Sequence, residues 1–165
     1  MKKYKIVLNW EQYNTLVNNL ANQIVDSQMA FKTILAIGRG GLPLGVMLSN
    51  KLKADFAAIM VSRYTTRNNP SRPKLGNIML HKTSEIDYPL LVVDDLVDEG
   101  ITLKEVLTKI DANIVLRETN KIKTATLFMK PWSIIRPNYF IKTTSKCVIF
   151  PYEEKIIRTR KIVVI

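Results

Sequence analysis

Leu90-Leu91-Val92-Val93-Asp94-Asp95-Leu96-Val97-Asp98-Glu99-Gly100-Ile101-Thr102 sets the architecture of this chain. The run Leu90 to Val93 is apolar, β-rich and short, which predicts a buried strand rather than a helix. Two acids follow at its carboxyl end, and a tight turn then presents Asp98, Glu99, Gly100 and Thr102 at the start of a helix predicted from about Thr102 to Ile110. One loop thus combines opposite chemistries. The helix amino end and its free backbone amides suit a phosphate, with Gly100 permitting close approach and Thr102 adding a hydroxyl donor. Asp94 and Asp95 accept hydrogen bonds from vicinal hydroxyls. A ribose 5-phosphate satisfies both halves. The alternative is an acidic turn in which Asp98 or Glu99 only caps the helix.

On either side, strands and helices alternate. Lys5 to Leu8 reads as a short strand, and Glu11 to about Val25 places Tyr13, Leu16, Val17, Leu20, Ala21 and Ile24 at helical spacing. Thr33 to Ile37 is a buried-strand run that ends at Gly38-Arg39-Gly40-Gly41, and a helix resumes over Leu42 to Leu52, with Pro43 suited to its first turn. Ala57 to Val61 is the next strand. Arg63 to Lys82 contains Arg63, Arg67, Arg72, Lys74 and Lys82 with no acid, and Pro70, Pro73 and Gly76 interrupt it, so it reads as a long basic loop or loosely paired arm with a short strand near Ile78 to Leu80. Thr124 to Met129 gives another strand. From Lys130 to Ile165 the chain is β- and turn-rich, with strands expected over Tyr139 to Lys142, Cys147 to Phe150 and Ile162 to Ile165. This alternation predicts a single α/β domain over residues 1–165 with a mostly parallel central sheet flanked by helices, whose ligands bind at the carboxyl ends of the strands.

Composition narrows the function classes. Hydrophobic residues make up 47% and charged residues 24% of 165, an ordinary globular mixture that argues against disorder and fibrous repeats. One cysteine, Cys147, and one histidine, His81, cannot build a disulfide framework or a Cys/His zinc site. The apolar run near the start, Ile6 to Leu8, is too short for a signal peptide, and nothing approaches the roughly 20 apolar residues of a membrane span. A cytoplasmic protein without membrane association is expected. With 25 lysines and arginines against 14 acids, the formal charge of +11 favours contact with polyanions or a phosphate-rich substrate. Two phosphate motifs fail: Pro43 stands where GxGxxG needs its third glycine, and Val46 and Met47 stand where a Walker loop needs Lys and Ser/Thr.

The stretch Leu90 to Thr102 resembles the phosphoribosyl pyrophosphate (PRPP) loop of type I phosphoribosyltransferases. In the expected order it is joined by Ile37-Gly38-Arg39-Gly40-Gly41-Leu42, similar to the pyrophosphate loop of the xanthine-guanine and hypoxanthine branch. Trp10, Lys130-Pro131 and Val148-Ile149-Phe150-Pro151-Tyr152-Glu153 also follow that branch, so the resemblance covers nearly the whole chain. It implies the type I phosphoribosyltransferase fold with a lid over about residues 63–82 and a small β-rich hood over about 130–165.

It also implies a site. Asp94 and Asp95 would meet the ribose hydroxyls and the magnesium shell, with Glu153 as a further metal residue. Asp98, Glu99, Gly100, Ile101 and Thr102 would hold the 5-phosphate, Asp98 also serving as general base at purine N7. Arg39 and the Gly40 and Gly41 amides would hold pyrophosphate, Arg63 and Tyr64 would act from the lid, and Lys130, Cys147 and Val148 would receive the base, Lys130 at its 6-oxo group. Three positions depart from the pattern: Glu99 replaces a threonine or serine, Ile101 replaces a small or polar residue, and Cys147 stands where an aromatic platform is usual.

The resemblance therefore implies a magnesium-dependent purine salvage enzyme. It would join hypoxanthine or guanine, with xanthine as a further candidate, to PRPP, and would act as a homo-oligomer, a dimer or tetramer. The rivals are a nucleotide-sensing regulator on the same fold that binds RNA or DNA, and a phosphoribosyltransferase for another base, which Lys130 disfavours. Nucleic acid is not the expected partner, because the basic excess is spread along the chain rather than gathered in a reader.

Overall fold

The computed structural model describes residues 5–62, 65–66, 69–70, 73–81, 85–111 and 121–153. Strand β1 (Lys5–Val7) leads into helix α1 (Trp10–Asp26), whose entry is fixed by a capping box: Asn9 Oδ1 accepts from Gln12 N at 2.8 Å, and Gln12 Oε1 accepts from Asn9 N at 3.0 Å. The helix buries Tyr13, Val17, Leu20, Ala21 and Ile24, the stripe its spacing predicts. Strand β2 (Thr33–Gly38) is buried throughout and feeds α2 (Gly41–Leu52), followed by β3 (Asp55–Ser62). Strands β4 (Thr65–Thr66) and β5 (Asn69–Pro70) pair with each other, and β6 (Lys74–Leu80) returns antiparallel to β3. Strand β7 (Leu90–Val97), helix α3 (Ile101–Asp111), β8 (Ile122–Met129), β9 (Tyr139–Thr143) and β10 (Cys147–Ile149) complete the described chain.

The central sheet has the order β6-β3-β2-β7-β8-β9 and is parallel except at β6. Alternate residues of β2 divide between two cores. Ile34 and Ala36 join Tyr13, Leu20, Leu44 and Leu48 under α1 and α2, while Leu35 and Ile37 join Leu103, Val106 and Ile110 under α3. Gly45 makes the α2 contact possible, because a Cβ there would lie 2.5 Å from the Ala36 Cβ.

Strands β6 and β7 each run four residues beyond their expected lengths. Strand β7 continues through both acids to Val97, because β8 pairs with it as far as Val97↔Met129, whereas its ladder to β2 ends at Ala36↔Val93. Asp94 and Asp95 are thus held by one neighbour and open on the side of the other. Strand β6 runs over seven residues rather than three. Its alternation is weak because one face is exposed and the pairing with β3 slips between Ile59 and Val61. The strand expected at Ile162 to Ile165 lies outside the described residues. Among the described residues, no helix is long and apolar enough to cross a membrane.

Candidate active site

From β2 the chain passes through α2 to β3 on one side, and from β7 through α3 towards β8 on the other. The order of connection therefore reverses between β2 and β7, and open α/β sheets bind ligands in the crevice at such a point. The two loops singled out by sequence leave these neighbouring strands. They are in direct contact: a Cβ on Gly40 would fall 2.2 Å from Asp95 Oδ2, and one on Gly41 would fall 2.7 Å from the Val93 carbonyl oxygen. The Gly38–Arg39 peptide bond in this turn is cis.

Asp94 and Asp95 are half-buried at this contact. Asp94 Oδ1 accepts from Asp95 N at 2.9 Å, and Asp95 Oδ1 accepts from Leu96 N at 2.6 Å. Burial pushes the Asp94 carboxyl well above the usual carboxylate range, and the charge of Asp95 beside it adds to the push. Burial also raises Asp95, though hydrogen bonds from Tyr152 and from the Leu96 amide draw it back. The Tyr152 hydroxyl sits between the loops and offers its single proton to Asp95 Oδ2 or, at 3.1 Å, to the Gly40 carbonyl. Burial and then the Asp95 charge hold that hydroxyl above the ordinary phenol range, so it remains a donor. Its ring stacks on Phe150 at 5.5 Å and meets Tyr13 edge-on at 5.8 Å, which ties the hood to α1.

The loop after β7 encloses a cavity of about 170 Å³ lined by residues 94 and 96–103. Gly100 closes it at φ +83°, a left-handed conformation that favours glycine, and α3 opens at Ile101 with its first turn, Ile101 to Leu103, lining the cavity. Glu99 is exposed, and Ile101 and Thr102 are partly buried. The turn after β8 is stitched to this loop, Lys130 N donating to Val97 O at 2.9 Å and Ile134 N to Glu99 O at 3.0 Å. Lys130 is buried at 5% exposure, its Nζ donating to the Lys146 carbonyl and lying 5.6 Å from the centroid of the Trp132 ring. Trp132 Nε1 donates to Asp98 Oδ1 at 2.8 Å.

The remaining expected residues stand as follows. Arg39 is exposed and lines a hollow of about 610 Å³ with the ends of β3 and β6. Cys147 is exposed at the start of β10, next to the carbonyl that Lys130 holds, whereas Val148 turns into the core under α1. Glu153 accepts from the Phe150 amide at 3.0 Å, and its charge is felt at Asp95. Arg63 and Tyr64 lie outside the described residues. Sequence reasoning offers the Phe150, Tyr152 and Trp132 rings as substitutes for the platform missing at Cys147, and it assigns no hydrogen-bonding role to the Tyr152 hydroxyl or the Trp132 indole N–H. Their only signal was position, Tyr152 in the Val148 to Glu153 run and Trp132 directly after Lys130-Pro131.

Glu153 does not join Asp94 and Asp95 in the expected cation site, since among the described residues no group of three or more His, Cys, Asp or Glu could hold an ion, and its carboxylate is taken up by the Phe150 amide; the adjacent carboxylates of Asp94 and Asp95 remain. That donor set fits magnesium, which takes one or two protein carboxylates and completes its shell with substrate phosphates and water.

The family model for a phosphoribosyl transferase domain matches residues 3–160. Over 126 residues the chain is 30% identical to a xanthine-guanine phosphoribosyltransferase of Idiomarina loihiensis, covering 75% of this chain and 70% of that protein. A purine phosphoribosyltransferase from Pyrococcus horikoshii superposes with a TM-score of 0.75 at 28% identity, over 95% of this chain and 99% of the other. The chain is also 24% identical to the transcriptional regulator GfcR of Methanococcus maripaludis over 64% of its own length, and spans 53%, about half, of that regulator.

Proposed function

The chain belongs to the phosphoribosyl transferase domain family, and on that footing we propose that it transfers the phosphoribosyl group of PRPP to a 6-oxopurine, hypoxanthine or guanine, with xanthine as a further candidate. The observation that carries this reading is the close approach of Gly40 to Asp95 across the switch point, which sets the glycine turn beside the two acids and the cavity of about 170 Å³ at the start of α3, an arrangement that suits a diphosphate, vicinal hydroxyls and a phosphate. PRPP carries these three groups in that order.

In the proposed reaction the purine N9 attacks the ribose C1. The bond from C1 to the diphosphate oxygen breaks, its electron pair leaves with pyrophosphate, and the N7 proton passes to Asp98. Arg39 and the Gly40 and Gly41 amides stabilise the charge that grows on the leaving group, and Asp94 and Asp95 orient the ribose hydroxyls. The α3 amino end, with Gly100 and Thr102, anchors the 5-phosphate. Lys130 donates to the 6-oxo oxygen, with the edge of β10 at Cys147 beside it. Magnesium, when bound, neutralises the diphosphate, and Asp94 and Asp95 would hold it. The same reading puts the protein in the cytoplasm as a dimer or tetramer.

The test is a panel of free bases with PRPP and magnesium, followed by pyrophosphate release. Hypoxanthine or guanine is expected to support release while uracil, orotate and adenine do not. Comparable turnover with orotate would overturn the base assignment. A second reading, a nucleotide-sensing regulator on the same fold, is favoured by the similarity to GfcR and the +11 charge. It is distinguished by nucleotide binding without pyrophosphate release for any base.

The exposed Cys147 provides a further test of the base pocket. Cys147→Trp is expected to lower the Michaelis constant for the base about ten-fold with little change for PRPP. Stacking on an aromatic ring contributes roughly 1 to 3 kcal/mol, and about 1.4 kcal/mol corresponds to that factor. A variant with an unchanged melting midpoint and an unchanged constant would mean that residue 147 does not face the base.

A further inference from the structure

We infer that Trp132 is a positioning residue, its indole N–H holding the Asp98 carboxylate in the orientation that receives the purine N7 proton, while its ring backs the ammonium of Lys130. This rests on the proposed roles of Asp98 and Lys130. Trp132 lies in a turn whose backbone is fixed on both flanks, by Lys130 N on Val97 O at 2.9 Å and by Ile134 N on Glu99 O at 3.0 Å. The turn is closed internally by Ser133 N on Lys130 O at 3.1 Å and by Ser133 Oγ on Ile135 O at 2.7 Å. A backbone so constrained fixes the Cα–Cβ direction of Trp132, and the indole's hydrogen bond then selects the rotamer.

The side chain itself is 53% exposed, so burial of the ring does not explain its place. What the indole does is make one directed bond, Nε1 to Asp98 Oδ1 at 2.8 Å. An indole N–H donates only, and an ionised carboxylate has two oxygens, so the bond fixes one oxygen and leaves the other for a proton on the substrate. A general base oriented by a third group is a recurrent catalytic arrangement. The same ring lies 5.6 Å from Lys130 Nζ, which is otherwise held by the Lys146 carbonyl. N7 and the 6-oxo oxygen are neighbours on one edge of a purine. One side chain therefore sets the spacing of the two groups that read that edge.

Trp132→Phe keeps an aromatic ring beside Lys130 and removes only the donor. Loss of a hydrogen bond to a charged group is expected to lower kcat about ten-fold, with the KM for PRPP within about two-fold of wild type, because the bond acts in the chemical step and not in PRPP binding. The decisive comparison is made in an Asp98→Asn background. If Trp132 acts through Asp98, adding Trp132→Phe to Asp98→Asn lowers kcat no further. An unchanged kcat for Trp132→Phe, or a loss that adds in full to that of Asp98→Asn, overturns the inference. If Asp98→Asn itself turns over at the wild-type rate, the general-base reading has failed and the Trp132 role falls with it. If Asp98→Asn is crippled and Trp132→Phe is not, the reading of Asp98 stands and only the Trp132 role is lost.

Discussion

Asp98→Asn is expected to lower turnover about 10²- to 10⁴-fold while leaving the affinity for PRPP nearly unchanged, the loss typical when a positioned general base is removed. The substitution keeps shape. An asparagine carbonyl oxygen can still accept from Trp132 Nε1, so the loop and the turn after β8 remain joined where Asp98 Oδ1 joins them now. What disappears is the second acceptor oxygen, replaced by an amide that donates towards an N7 already bearing a proton. PRPP should bind as before, because the ribose and diphosphate contacts proposed here come from Asp94, Asp95 and the glycine turn. Calorimetry with PRPP and single-turnover kinetics separate the two quantities. Parallel loss of PRPP affinity and turnover would instead make Asp98 an organiser of the phosphate loop.

Gly41→Ala should damage the protein more broadly. Its added Cβ would lie 2.7 Å from the Val93 carbonyl oxygen and 3.0 Å from the Asp94 Cα, both backbone atoms of β7. Val93 is paired with both β2 and β8, so its carbonyl cannot step aside as a flexible side chain can. Overpacking of this kind costs about 1 to 3 kcal/mol, which for a chain of this length lowers the melting midpoint by roughly 2 to 12 °C. The displaced helix start would also pull the glycine turn away from Asp95, so PRPP affinity falls with stability. Gly76→Ala is the control: its Cβ would meet the Met60 carbonyl oxygen at 3.2 Å at the edge of the sheet, and it should be tolerated. Equal midpoints for Gly41→Ala and wild type would show that β7 and α2 separate more easily than this packing implies.

The strand, acids, turn and helix of residues 90–102 were legible because each signal is local: an apolar run, a charge break, a glycine and a resumed helical period. The length of β7 was not legible. Two adjacent acids ordinarily end a strand, and only the partner β8, supplied from further along the chain, carries it on to Val97. Strand β6 was underread because its exposed face blurs the alternation. At the site, residue types and order were readable, but the side chains that couple them were not. Trp132 reaches Asp98 across 34 positions and Tyr152 reaches Asp95 across 57, and no periodicity reports such contacts.

The short parallel pairing of β1 with β10 has a consequence in time. Lys5 lies opposite Cys147, so the hood that carries the base edge is anchored to a strand synthesised about 140 residues ahead of it. At translation rates of about 5 to 20 residues per second, β1 waits roughly 7 to 28 s for its partner, with Ile6, which packs against the core in the finished fold, still unpaired. The α1 stripe, β2 and α2 can pack as they emerge, but the last wall of the candidate site forms only after β10 is available. Refolding should therefore restore helical signal before it restores nucleotide binding, since closure over so long a separation is slow. Through that interval newly made chains would lack β8 and β9 for most of the time, leaving the sheet incomplete and the site open.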